Sequence, residues 1–256
     1  EIEGLWHPNQ FVMMVSNAND KKTALARFQS HHMPLKNIIH DKLPDWNISS
    51  RNKEQAFAMD LLMNPDIKIV SLIGRAGSGK TLCAIASGLQ QTLGHGDNHY
   101  DRLIVSRPVQ PLGKDIGFLP GTMHEKMLPW LMPIQDNLQY LIGDKNALQM
   151  YVEKGKIEIE ALTYIRGRSI ANAYVIIDEA QNLTKHEIKT IITRIGDGTK
   201  IVLTGDIEQI DNIYVNETSN GLAHAIESFK QHPIAGHVTF KKGERSELAT
   251  LASKVL

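Results

Sequence analysis

Eight residues, Gly74-Arg75-Ala76-Gly77-Ser78-Gly79-Lys80-Thr81, constrain this chain more than any others. They fit G-x-x-x-x-G-K-[ST], a loop that wraps a phosphate group. The flanks fit as well. Ile69, Val70, Leu72 and Ile73 form a short apolar run before the loop, as a strand buried on both faces would. After it, Leu82, Ile85, Ala86, Leu89 and Leu93 recur at helical spacing until Gly94 stops the pattern. An ordinary glycine turn accounts for neither flank.

The chemistry needs these residue types in this order. Gly74, Gly77 and Gly79 let the backbone approach a phosphate with no Cβ in the way. Successive N–H groups and the helix N-terminus then face the anion. Lys80 reaches the β- and γ-phosphates, and Thr81 places its hydroxyl on Mg²⁺. Ala76, Ser78 and Leu82 complete the stretch expected to contact the nucleotide.

A chain of 256 residues holds one sizeable α/β domain plus a small appendage. Lys+Arg and Asp+Glu both number 28, so the formal net charge is zero. That balance argues against a nonspecific coat on nucleic acid, though not against a local basic channel. The single cysteine, Cys83, excludes an internal disulfide, and its expected role is packing. No apolar run approaches the ~20 residues of a membrane span, and no signal peptide is visible. The expected location is the cytoplasm. The chain opens on Glu1 rather than Met, as a fragment or processed form would.

Residues 1–50 differ from the rest. Phe11 to Val15 is strand-like, Asn17-Ala18-Asn19-Asp20 is a turn signal, and Thr23 to Phe28 returns as a second strand. The pattern predicts a small β-meander. Trp6, Phe11, Phe28, His31 and His32 either stack on bases or fill a small core, and the core is favoured because so small a meander needs aromatics.

From residue 51 to 256 helix and strand alternate, which predicts a mostly parallel sheet covered by helices on both faces. Strands are expected at 69–73, 103–106, 157–162, 174–177, 201–204 and 237–240. Helices are expected at 52–63, 80–93, 123–142, 145–153, 184–195, 218–231 and 245–256. Pro129 and Pro133 are expected to kink or split the helix at 123–142. Residues 107–121 form a long Pro/Gly loop with an apolar tip of Ile116, Phe118 and Leu119, on the sheet edge where ligands bind. The tip either docks on a ligand or partner, or packs on its own domain.

Tyr174-Val175-Ile176-Ile177 delivers Asp178 and Glu179. Two carboxylates at the end of a buried strand suit hydrolysis: Asp178 to hold Mg²⁺, Glu179 to orient and deprotonate water. Ile201-Val202-Leu203 leads through Thr204-Gly205-Asp206 to Gln209, either an amide that reads the γ-phosphate or the attacking water, or a surface glutamine after an ordinary strand–turn.

Asp-Glu-Ala-Gln at 178–181 and Leu-Thr-Gly-Asp-x-x-Gln at 203–209 resemble motifs II and III of superfamily-1 helicases. Asn52-x-x-Gln55 resembles the adenine-reading element that precedes their phosphate loop. More closely, the chain resembles the PhoH family of ATPases. The matching stretches are Arg107-Pro108-Val109-x-Pro111-Leu112-Gly113, Gly117-Phe118-Leu119-Pro120-Gly121, Glu125-Lys126-Met127-x-Pro129-Trp130, Ile165-Arg166-Gly167-Arg168-Ser169 and Gly243-Glu244-Arg245-Ser246-Glu247-Leu248-Ala249. His7-Pro8-Asn9-Gln10-Phe11-Val12 resembles the segment that joins a PIN nuclease domain to the PhoH domain in longer relatives. Residues 1–50 are too short and too poor in acidic residues to be a PIN domain themselves.

The resemblance implies a RecA-like P-loop fold, Mg²⁺-dependent ATP hydrolysis and ring-shaped, often hexameric, assembly. It also suggests work on single-stranded RNA, as in relatives linked to RNA unwinding and cleavage. Residue by residue it puts Gln55 at the adenine, Lys80 and Thr81 at phosphates and metal, Asp178 and Glu179 at metal and water, and Gln209 at the γ-phosphate. Ser78 stands where relatives often have Thr, a conservative change because the backbone N–H binds.

A superfamily-1 helicase closes its site with an arginine from a second RecA-like domain, and this chain has room for one such domain. The missing arginine is therefore expected from a neighbouring subunit. Arg245 is the first candidate, with Arg168 and Arg166 behind it; the competing reading of Arg245 is a surface ion pair with Glu244 or Glu247. Two functions follow: an ATP-driven RNA-remodelling motor, or a nucleotide-switched assembly module acting on a partner such as a nuclease. A nucleotide kinase fits poorly, because Glu179 places a water-activating carboxylate where transfer needs none.

Overall fold

The computed structural model describes residues 6–96, 98–108, 123–165, 168–211, 215–216 and 219–241. The chain begins with β1 (Phe11–Ser16), β2 (Asn19–Arg27) and β3 (Lys36–Asn37), paired antiparallel in that order. The Asn19 side chain accepts from Lys21 N (3.0 Å) at the predicted turn. β4 (Lys42–Leu43) and β5 (Ile48–Ser49) then pair around a 3₁₀ turn, and neither was visible in the sequence pattern.

The remainder alternates as expected. Its elements are α1 (Lys53–Met63), β6 (Ile69–Gly74), α2 (Lys80–Leu93), β7 (Arg102–Arg107), α3 (Met123–Ile142), α4 (Lys145–Glu153), β8 (Ile157–Ala161), α5 (Leu162–Ile165), β9 (Ala173–Ile177), α6 (Lys185–Ile192), β10 (Lys200–Gly205), α7 (Gly221–Phe229) and β11 (Ala235–Phe240). Helix starts follow local chemistry. Asn52, Asp144, Thr184 and Asn220 each accept a backbone N–H of the first turn of α1, α4, α6 and α7. That is why the helices predicted from 184 and 218 begin one and three residues later. The helix expected at 245–256 and the loop tip at Ile116, Phe118 and Leu119 lie outside the described residues.

Strands β6 to β11 form one parallel sheet in the order β11-β6-β10-β9-β7-β8. Alternate residues face opposite sides. Val70, Leu72, Val105, Tyr174, Ile176 and Val202 pack under α1, α2 and α3, while Ile104, Val175, Ile177 and Leu203 pack under α6 and α7. Each such side chain is worth about 1.5–3 kcal/mol on burial. Cys83 is in the first layer, where burial pushes its thiol up to about 12, so it packs and does not react.

α3 runs from Met123 to Ile142 with Pro129 and Pro133 inside it, so of the expected kink or split the split does not occur. Each proline removes one helical donor. Buried Leu131, Ile134 and Leu138 hold the helix to the core regardless, and Asn137 Nδ2 donates to the Pro133 carbonyl at 2.8 Å. The aromatic cluster follows its core reading. Phe28 is buried between Trp6 (5.4 Å) and His31 (5.1 Å), and Phe11 stacks on Phe57 of α1 at 4.2 Å; His32 is exposed.

Lys200, at the start of β10, is fully buried. Its ammonium donates to the carbonyls of Leu61 (2.9 Å), Leu62 (2.7 Å) and Asn64 (2.7 Å), which end α1. Three donors on one amine add to the bonds these C-terminal carbonyls already accept, while burial holds the Lys200 pKa well below the usual lysine range. Lys200→Met is therefore expected to lower unfolding free energy by about 2 kcal/mol or more. The measurement is the urea midpoint at unchanged slope, and an unshifted midpoint would contradict this role.

Candidate nucleotide site

The parallel topology brings the ends of β6, β9, β10 and β7 to one sheet edge, and the candidate residues follow them. A cavity of about 380 Å³ there is lined by Ala76, Gly77, Gly79, Lys80, Thr81, Leu82, Asp178, Glu179, Asp206 and Gln209, with Arg107 from β7 and Pro133 and Asn137 from α3. Ends of parallel strands where connections diverge are the general place for ligands in such sheets.

The loop itself is shaped for an anion. Gly77 and Gly79 have φ of 77° and 86°, the left-handed region that glycine enters without cost. A Cβ on Gly79 would also lie 2.8 Å from Gln55 Nε2. Lys80 heads α2, buried, with its ammonium on the Arg75 carbonyl at 3.3 Å. The ammonium is thus curled over the loop where phosphates would lie.

β9 delivers the carboxylates. Asp178 N bonds Ser106 O (2.8 Å), extending the ladder to β7 one residue past β9. Asp178 Oδ1 accepts from Thr81 Oγ1 (2.9 Å) and Thr204 Oγ1 (2.6 Å). A hydroxyl and a carboxylate this close suit Mg²⁺, which takes hard oxygen ligands and keeps several waters. Asp206 Oδ2 is a further buried oxygen with no hydrogen-bond partner among the described residues.

Glu179 follows at φ 55°, unusual for a residue with a side chain and frequent at functional sites. Its Oε1 lies 3.3 Å from Arg107 Nη2, and its Oε2 accepts from Gln181 Nε2 at 2.5 Å. Gln181 is fully buried and is the hub of this corner. Its Nε2 also reaches Gln209 O (2.9 Å), and its Oε1 accepts from Asp206 N (3.1 Å). One amide thus locks the Asp-Glu-Ala-Gln segment to the Thr-Gly-Asp-x-x-Gln segment. Across the rim, exposed Arg75 and Glu208 pair at 2.8 Å.

Not every candidate reaches the cavity. Gly74 and Ser78 underlie the loop, and Gln55 lies behind it. The Gln55 amide is engaged at both ends: Nε2 donates to Ser78 O (3.2 Å) and Oε1 accepts from Arg51 N (2.8 Å). Arg168 pairs with Glu158 (2.9 Å) and Glu160 (3.3 Å) of β8, the edge strand farthest from β6 and β11. Those carboxylates raise its pKa further. Arg245 and Arg166 lie outside the described residues. Arg107, Pro133 and Asn137 line the cavity and Gln181 stands buried behind it, and sequence reasoning missed all of them as nucleotide-site residues. Gln181 was signalled by its motif, but the others depend on which elements the sheet makes neighbours.

Fold and site together define a P-loop nucleotide-binding protein of RecA-like α/β architecture. The family profile described as PhoH-like protein matches residues 47–255, and the chain belongs to the PhoH family. Its curated relatives include protein PhoH2 of Bacillus subtilis, 48% identical over 98% of this chain and 57% of that protein. Protein PhoH2 of Mycolicibacterium smegmatis is 39% identical over 82% of this chain and 48% of its own length. Protein PhoH of Escherichia coli K12 is 36% identical over 76% of this chain and 53% of its own length. The chain spans about half the length of these relatives. Solved structures that align with it include the Sulfolobus solfataricus SWI2/SNF2 ATPase core in complex with dsDNA, at TM-score 0.45 and 15% identity, over 80% of this chain and 47% of that one. Among the described residues no helix is long and apolar enough to cross a membrane.

Proposed function

We propose that this chain is a Mg²⁺-dependent ATPase that works on single-stranded RNA in the cytoplasm as a head-to-tail ring, hexameric as in its family resemblance. The observation that carries the catalytic part is the convergence of Lys80, Thr81, Asp178, Glu179 and Gln209 on one cavity. Loop N–H groups and the Lys80 ammonium hold the β- and γ-phosphates. Glu179 takes a proton from water as the water oxygen bonds to the γ-phosphorus. The bond from that phosphorus to the bridging oxygen breaks, and its electron pair leaves on ADP. Gln209 orients the water or the γ-phosphate. Thr81 and Asp178 would hold Mg²⁺, which when bound offsets phosphate charge. Adenine reading by Gln55 requires its amide to exchange one of its two present bonds.

The ring rests on an arginine in trans, because such a finger is worth about 10³–10⁵ in rate. Arg168 is the weakest candidate, being held by two glutamates, so Arg245 leads. A heterologous interface of this kind makes a ring where its rotation closes. The second reading, a nucleotide-controlled module acting on a partner such as a nuclease, is favoured by the engaged state of Glu179.

One experiment separates them: phosphate release with and without single-stranded RNA, with native mass recorded with and without ATP and Mg²⁺. Several-fold stimulation by RNA in a species of about six chains is the expected result. Hydrolysis indifferent to RNA favours the module, a strictly monomeric active enzyme removes the ring, and no hydrolysis removes the reading.

A further inference from the structure

Glu179 is the proposed base, yet both its carboxylate oxygens are occupied, Oε1 by Arg107 and Oε2 by Gln181. Each oxygen keeps a second lone pair, but the two contacts fix how the carboxylate is turned and set a guanidinium beside it. The two partners differ in how firmly they are held. Gln181 is fully buried and fixed through Asp206 N and Gln209 O. The Arg107 side chain is 22% exposed, and its other anchor among the described residues is a 3.5 Å bond from Nη1 to the Trp130 carbonyl. Arg107 is therefore the partner able to leave.

Its position is set by the sheet. β7 lies beside β9 with Ser106 opposite Ile177, so Arg107 emerges next to the carboxylates. The guanidinium lines the cavity that holds Lys80, Thr81 and Gln209. A phosphate brought there offers more charge than one carboxylate and a match to the planar donor fork of arginine. An arriving phosphate would compete for the guanidinium and win.

We propose that Arg107 is a phosphate-responsive positioning residue, which pairs with Glu179 at rest and frees it when a phosphate group takes the guanidinium. The phosphate has two sources, the terminal phosphate of the bound nucleotide or a backbone phosphate of a nucleic-acid strand. The inference rests on the hydrolytic reading of this pocket and adds the condition under which its base is available.

The test compares wild type, Arg107→Gln and Arg107→Lys. It measures affinity for ADP and for a slowly hydrolysed ATP analogue, and kcat and KM for ATP with and without poly-U RNA. With the terminal phosphate as source, Arg107→Gln weakens the analogue about tenfold, the size of one charge-assisted bond, without changing ADP affinity. With a backbone phosphate as source, Arg107→Gln raises RNA-independent kcat to the RNA-stimulated value and leaves analogue affinity unchanged. In either case Arg107→Lys restores part of the wild-type behaviour. If both variants keep the wild-type ratio of analogue to ADP affinity and the wild-type response to RNA, the proposal is wrong. A wild type that binds nucleotide but never hydrolyses it removes the hydrolytic reading, while the affinity ratio still judges Arg107. A wild type that binds no nucleotide removes both.

Discussion

Glu179→Gln is expected to reduce ATP turnover by about 10²–10⁴ while ATP affinity stays within a few-fold of wild type. The carboxamide keeps the size of the side chain, so the left-handed backbone at φ 55° and the Gln181 contact have a similar group to hold. What is lost is the ability to take a proton from water. Lys80→Ala is the control that separates chemistry from binding, since it removes the ammonium on the phosphates and should weaken affinity as well as rate. Steady-state phosphate release and nucleotide titration on the same preparations read both quantities. A Glu179→Gln enzyme with kcat within tenfold of wild type would assign the base elsewhere, and buried Asp206 with its unpartnered oxygen would be the first alternative.

The two segments that carry this chemistry were legible because each is contiguous. Residues 74–81 hold loop, lysine and hydroxyl within eight positions, and 174–179 hold strand and both carboxylates within six. The alternation of apolar runs likewise predicted all six strands of the parallel sheet to within two residues at each end. What periodicity cannot state is which strands are neighbours. β10 lies between β6 and β9, and β7 lies on the far side of β9. That order alone places Arg107 on Glu179, so the residue that opens the Pro/Gly loop belongs also to the nucleotide cavity. The α3 contribution was hidden for the opposite reason. Its prolines read as a break, while the buried row of Leu131, Ile134 and Leu138 keeps the helix whole and sets Pro133 and Asn137 over the site.

The same limit applies to the N-terminal strands, whose sequence suggested a separate small segment at 1–50. Arg27 of β2 and Asp60 of α1 pair at 2.9 Å with 3% and 2% of their side chains exposed. Arg27 Nη1 also donates to Asn9 Oδ1 (2.5 Å), and Asn9 Nδ2 donates to Pro233 O (2.8 Å) and Ala235 O (2.7 Å). One buried network therefore ties the meander to α1 and to β11 at the edge of the sheet. Asp60→Ala leaves the Arg27 guanidinium buried without its counter-ion and is expected to lower unfolding free energy by about 3–5 kcal/mol. Replacing both partners with apolar residues, Arg27→Met with Asp60→Leu, should be far less damaging, because the desolvation of both charges is removed together. Urea unfolding of the two single variants and the double variant gives the coupling between the sites. A double variant as unstable as the two singles added together would mean that the ions do not compensate each other. A mild Asp60→Ala would mean that water reaches Arg27. Because α1 also carries Gln55 to the back of the phosphate loop, the severe outcome should appear in nucleotide affinity before the sheet itself unfolds.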